Sequence, residues 1–198
     1  MAVDSAKLAA LVGSRICHDL ISPVGAINNG LELLGMSGAV EGPELELISD
    51  SVLHANARIR FFRVAFGAAG DQQMGRAEIL SILEDVSKAG RMSYSWAPLE
   101  GSSRSDVRMV FLALLCLETA LPYGGQITVL CSGSEWTITG EGRKVAVDDA
   151  LWGCLQKANS ETEVTPAQVQ FALLPVAAQE AGRPLQFVQG LEKISIQF

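Results

Sequence analysis

The sequence predicts an α+β protein: an N-terminal antiparallel helical hairpin forming a four-helix bundle by homodimerisation, followed by an α/β sandwich. Three observations carry that expectation. Apolar residues recur at spacings of three and four through the first third of the chain. A glycine-bearing stretch, "GAAGDQQMG" (67–75), then breaks the pattern. Beyond it, helical segments interleave with short strand-like runs and the chain ends in a hairpin.

The first helix is expected to start at Asp4 or Ser5, both good N-caps. Its stripe runs through Leu8, Val12, Ile16, Leu20, Ile27, Leu31 and Leu34. "GMSGAVEGP" (35–43) carries three glycines and a proline, so it reads as a turn that folds the next helix back. Pro43 suits a first helical turn, and Glu44 and Glu46 sit near the positive end of the helix dipole. Leu45, Ile48, Val52, Ala55, Ile59, Phe62 and Phe66 then alternate three and four apart, which is a heptad seam. One hairpin with seams this long leaves apolar surface uncovered. A second copy covers it, and a homodimer is expected.

After the linker, 77–88 reads as an amphipathic helix on Ile79, Leu80, Leu83 and Val86, and "MSYSW" (92–96) alternates like a strand. Residues 106–121 are apolar enough for a buried helix. "QITVLCS" (126–132) and "EWTITG" (135–140) form a strand pair around Gly133. Helices are expected over 147–157 and 166–181, and a closing hairpin from "PLQFVQG" (184–190) and "KISIQF" (193–198). The expected domains are therefore 1–67 and 76–198. Trp96, Trp136 and Trp152 are expected in the α/β core.

Composition narrows the function. The chain has 198 residues, 48% of them apolar, and a formal charge of -7. An acidic chain lacks the basic surface that nucleic acid requires. The four cysteines are scattered with no C-x-x-C pair, which fits reduced thiols in the cytoplasm rather than a zinc site or a disulfide framework. Two histidines are too few for a histidine-rich metal site. "MAVDSAKLAA" does not read as a signal peptide. The longest apolar run, 109–117, is far shorter than the ~20 residues of a membrane span, so no membrane partner is expected.

"ICHDLISP" (16–23) holds the candidate chemistry. At about 100° per residue, His18 lies about 200° from Ile16, on the side opposite the stripe. Ser14, Ser22, Gly25 and Asn29 surround it on that outer face and form a flat, small-residue surface. Leu11 and Ile21 also turn toward it and offer apolar contacts. Pro23 removes the amide that would bond the Asp19 carbonyl, so a bend is expected just past the histidine. An imidazole titrating near about 6.5 keeps a neutral fraction whose free nitrogen can attack a phosphoryl group. Asp19 can orient the ring through the other nitrogen, or it can be an ordinary surface acid paired with Arg15 four residues earlier.

"HDLISPVGAINNGLELL" (18–34) resembles the phospho-acceptor helix of the ChpT-type histidine phosphotransferases of bacterial phosphorelays. The resemblance implies an α/β half shaped like a degenerate histidine-kinase ATP-binding domain. It implies His18 as the phosphorylated residue, Asp19 as its polar assistant, and the outer face as the dock for receiver domains of a hybrid histidine kinase and of response regulators. Leu11, Ser14, Arg15, Ile21, Ser22, Gly25 and Asn29 make up that expected docking set, with Ser22 and Asn29 as possible hydrogen-bond donors or mere solvated surface. No cofactor or metal of the chain's own is expected; magnesium would come with the receiver. Two alternatives stay open: an ATP-using sensor histidine kinase core, and a non-catalytic dimeric scaffold for receivers. Against the kinase, "FLALLCLETALPYGG" (111–125) lacks the asparagine that would hold magnesium. "ITGEG" (138–142) places Ile138 where the kinase's adenine-reading aspartate would stand.

Overall fold

The computed structural model describes residues 5–37, 42–68, 72–156 and 162–198. Two long helices come first, α1 (Ser5–Ser37) and α2 (Pro43–Ala65), packed along each other as a hairpin. Asp4, the alternative N-cap, and most of the turn between the helices lie outside the described residues. Helix α1 continues unbroken through Pro23. Pro43 opens α2 with Glu44 and Glu46 in its first turn, as its sequence predicts.

The seam of α2 divides lengthwise as far as Ile59; Phe66, next in the outer row, is half-buried against the core. Ile48, Ala55 and Phe62 are half-buried or buried. Leu45, Val52 and Ile59, spaced by sevens, keep 41%, 40% and 42% of their surface exposed. On α1, Leu8, Val12, Ile16, Leu20, Ile27 and Leu34 are half-buried, but Leu31 is exposed. One hairpin therefore covers only one edge of the apolar stripe that the spacing describes. The best-buried part of α2 is its end, where Ala57, Phe61, Phe62, Val64 and Ala65 enter the core of the second half.

That half is a two-layer α/β sandwich. Its elements are β1 (Gln73–Met74), α3 (Arg76–Ala89), β2 (Met92–Trp96), β3 (Ser102–Ser103), α4 (Arg104–Ala120), β4 (Gly125–Ser132), β5 (Glu135–Glu141), α5 (Asp149–Gly153), α6 (Gln170–Glu180), β6 (Gln186–Gln189) and β7 (Lys193–Gln197). The main sheet has order β2-β4-β5-β7-β6; β2 runs parallel to β4 and every other pair is antiparallel. Alternate residues Ile127, Val129, Ile138, Ile194 and Ile196 are fully buried, the period-two signature of a sheet with one face on a core. Gly133 makes the two-residue turn between β4 and β5 at φ +62°, a conformation glycine adopts without a Cβ clash. The run 109–117 is buried throughout in α4, and all three tryptophans are core residues.

The structure corrects four boundaries or elements. Among the described residues, the helix expected over 147–157 is α5 followed by a 3-10 turn, Cys154–Gln156; Lys157 lies outside them. The Asp148 carboxylate accepts from the amides of Ala150 and Leu151, so Val147 stands before the cap. The helix expected over 166–181 splits into a 3-10 turn, Pro166–Gln168, and α6. The Thr165–Gln168 capping box closes that first turn by itself. Helix α4 starts two residues early because the Ser103 hydroxyl accepts from the Asp106 amide. The short antiparallel pair β1–β3 is an element that no periodicity in the sequence announces.

Candidate functional site

The site grows from the outer face of α1. His18 keeps 79% of its side chain exposed, on the side away from the half-buried Ile16 and Leu20. Ser14, Ile21, Ser22, Gly25 and Asn29 are likewise exposed, whereas Leu11 is half-buried. A helical turn of 3.6 residues separates the two sets. An added Cβ at Gly25 would meet nothing within 4 Å beyond its chain neighbours and the adjoining backbone of its own helix, so the surface beside the imidazole is open. The second histidine, His54, lies on α2 and is exposed there.

Asp19 makes both contacts that the sequence allows it. One carboxylate oxygen lies 3.1 Å from His18 Nδ1, and the other accepts from Arg15 Nε at 3.0 Å. Unlike His18, Asp19 and Arg15 are well covered, with 14% and 13% of their side chains exposed. A carboxylate can only accept, so its bond to the ring requires the proton on Nδ1. Nε2 is then the nitrogen with a free lone pair, on a ring that faces solvent.

Arg15 is turned inward rather than onto the open face. Its Nη1 donates to the backbone carbonyl of Ala167, in the Pro166–Gln168 turn of the second half. The same carbonyl accepts from Gln170 Nε2 at 3.1 Å. Gln170 is fully buried and also reaches Thr119 Oγ1 at 3.1 Å and the Leu115 carbonyl at 3.4 Å, both on α4. Sequence reasoning misses Ala167 and Gln170. They stand some 150 residues from His18, and neither type, alone, signals a site.

Among the described residues no three His, Cys, Asp or Glu side chains gather as a metal-binding group. The four cysteines are free; Cys17 is exposed beside His18 and Cys116 is buried, which pushes its thiol well up. Ile138 is fully buried, within β5. No helix among the described residues is long and apolar enough to cross a membrane.

Residues 76–193 match the family model for the histidine phosphotransferase C-terminal domain. The chain is 35% identical over 197 residues to the protein phosphotransferase ChpT of Brucella abortus (strain 2308), a match spanning 94% of this chain and 92% of that protein. A solved structure of a bacterial phosphotransferase superposes with a TM-score of 0.85 at 33% identity, covering 100% of this chain and 98% of the other. With a helical hairpin, an α/β half and an outward histidine in hand, these likenesses identify the chain: it belongs to the ChpT-type histidine phosphotransferase family.

Proposed function

We propose that the chain is a phosphorelay intermediate that moves a phosphoryl group between receiver-domain aspartates through His18, without using ATP. The observation that carries this reading is the exposed His18 ring, with Nδ1 engaged by Asp19 and Nε2 free. Nε2 attacks the phosphorus of a receiver's aspartyl phosphate. An N–P bond forms as the acyl O–P bond breaks, and the aspartate leaves as its carboxylate. The ring keeps its Nδ1 proton and becomes cationic, and the Asp19 carboxylate balances that charge. The reverse step delivers the group to a second receiver. Such transfer depends mostly on in-line positioning and on neutralising the moving oxygens. The receiver supplies the magnesium for the latter. Ser14, Ile21, Ser22, Gly25 and Asn29 form the open surface on which it docks, with Leu11 at its margin.

The chain divides in this reading into a dimerisation and phosphotransfer hairpin, 1–67, and an α/β domain, 76–198. It works as a homodimer in the cytoplasm. The exposed seam edge Leu45, Val52 and Ile59 supports the dimer, because a second hairpin is the cover that heptad spacing calls for. The buried Ile138, standing where a kinase would read adenine, supports a domain that has the kinase shape without its nucleotide site.

The test mixes purified protein with a phosphorylated receiver and maps acid-labile phosphate by mass spectrometry. We expect label on His18, none from radioactive ATP alone, and none in His18→Gln, which still dimerises. Label from ATP alone would make the chain a kinase. Relay activity surviving in His18→Gln would make it a scaffold.

A further inference from the structure

Arg15 has a geometry that a docking residue on an open face does not need. We infer that it is a positioning residue, which clamps Asp19 against His18 Nδ1 and ties that setting to the Pro166–Gln168 turn of the α/β domain. The inference rests on the phosphotransfer reading for its consequence, though not for its geometry.

An ordinary Arg–Asp pair four apart on a helix surface is weak and wanders among rotamers. Arg15 and Asp19 differ in two ways. Both are largely covered, and Arg15 has a second anchor. Nε holds the Asp19 oxygen that faces away from the ring, while Nη1 is fixed on the Ala167 carbonyl. The guanidinium is planar with donors in a fixed fork, so anchoring one edge orients the other. The carbonyl is itself held by the buried Gln170, which also bonds Thr119 and Leu115 on the central helix α4. An unbroken set of hydrogen bonds thus runs from the core of the α/β domain through Ala167, Arg15 and Asp19 to the imidazole. The exposed pair Lys7–Glu163, at 3.5 Å, lies across the same junction.

The chemical result is one tautomer and one ring rotamer. With Asp19 held, the proton sits on Nδ1 and Nε2 faces the receiver. With Asp19 released, either nitrogen carries the proton and the exposed ring rotates freely. The α/β domain then acts on transfer without touching the moving phosphoryl group. It does so by where its 166–168 turn sits.

The experiment reads the tautomer and the rate separately. The chain has two histidines, so in a His54→Gln background the imidazole nitrogen-15 spectrum belongs to His18 alone. At a pH where the ring is neutral, we expect the parent to show the protonated nitrogen at Nδ1. Arg15→Gln is expected to give a mixture of tautomers and to slow uptake from a phosphorylated receiver about 10- to 100-fold, the range seen when the partner that orients a metal-bound histidine is lost. Arg15→Lys keeps the charge but not the fork, and is expected to stay close to Arg15→Gln in both measurements. The proposal is overturned if the parent shows mixed tautomers, if Arg15→Gln leaves the tautomer unchanged, or if lysine restores both readouts. A slowed rate with an unchanged tautomer would assign Arg15 to receiver docking. Absence of transfer in the parent would overturn the phosphorelay reading, while the spectra would still decide the clamp.

Discussion

The two halves of this chain handle their apolar residues in opposite ways. The α/β half buries most of them: the whole apolar run of α4, the inward rows of the sheet and all three tryptophans are buried, and its exposed exceptions, Leu99, Tyr123, Leu130, Val188 and Leu191, are scattered along the chain. The hairpin leaves them out: Ile21, Val24, Leu31, Leu33, Met36, Leu45, Leu47, Val52, Leu53 and Ile59 are all exposed on α1 and α2. A single chain seldom leaves so long an apolar face in water without something to put against it. The difference teaches that the α/β half closes a core, to which the end of α2 contributes, and that the rest of the hairpin is built as a surface. The candidate histidine sits on the half that is built as a surface.

The two halves are nevertheless joined by a packed contact, and breaking it has the largest expected effect. Phe61 of α2 stacks on Phe111 of α4 with ring centroids 4.6 Å apart, and both are fully buried. Around them Arg60 bonds Ser81 and Asp85 on α3, and Arg104 donates to the Arg63 carbonyl. Phe111→Ala removes the ring from the middle of that contact, and the loss of stability is expected to be about 3–5 kcal/mol by denaturant titration. If the halves were independent, the hairpin and the sandwich would respond differently. We expect helical circular dichroism and tryptophan fluorescence to fall together. A far smaller loss, or two separate transitions, would show that the hairpin is merely attached.

Periodicity reports faces, so His18 opposite Ile16 and Leu20 is legible, as is the heptad seam of α2. It does not report which edge of a seam the same chain covers, because Leu45 and Ile48 look alike until α1 is in place. Spacing by four makes Arg15–Asp19 visible, but the choice between pairing with Arg15 and bonding the ring is settled only by three-dimensional placement, which gives Asp19 both. Ala167 reaches Arg15 through a backbone carbonyl, a group every residue carries, so no residue type marks it. The short pair β1–β3 is two residues long on each strand and has no period to read. Helix ends mislead where a side chain caps the helix, as at Asp148, or a capping box isolates a turn, as at Thr165.

A second polar junction gives an intermediate effect and a pH signature. Tyr94 of β2 donates its hydroxyl to Glu118 Oε1 on α4 at 2.5 Å, and Glu118 faces Arg58 of α2 at 3.7 Å. Burial raises the phenol's pKa far above its usual value, and the neighbouring Glu118 carboxylate raises it further. Tyr94→Phe is expected to lose about 1.5–3 kcal/mol, the range for a hydrogen bond to a charged group. The folded state holds this proton more tightly than the unfolded chain, where tyrosine titrates near about 10. Its stabilisation is therefore complete below that pH and declines as pH rises beyond it. Stability measured in parallel for the wild type and Tyr94→Phe should differ by a constant amount up to about pH 9, and the gap should narrow in stronger base. A gap that stays constant there would mean that Tyr94 is not held as the structure has it.

The smallest expected effect on folding is the most informative about the hairpin. Val52 is 40% exposed at the edge of the α2 seam, one heptad from Leu45 and from Ile59. In one chain, Val52→Asp puts a carboxylate on a face already open to water, and the fold should change by only about 0.5 kcal/mol. In the proposed dimer it puts two carboxylates into a shared apolar seam, where each loses water without gaining a partner. The particle mass in sedimentation should therefore fall to that of one chain. All three tryptophans lie in the α/β half, so their fluorescence reports that half's unfolding, and its midpoint should hold at protein concentrations low enough to remove association from the balance. A dimer that survives the substitution would mean that this edge of the seam is not where the copies meet. A collapse of the tryptophan transition would mean that the hairpin's outer face supports the sandwich, and the division between a finished half and an unfinished one would have to be given up.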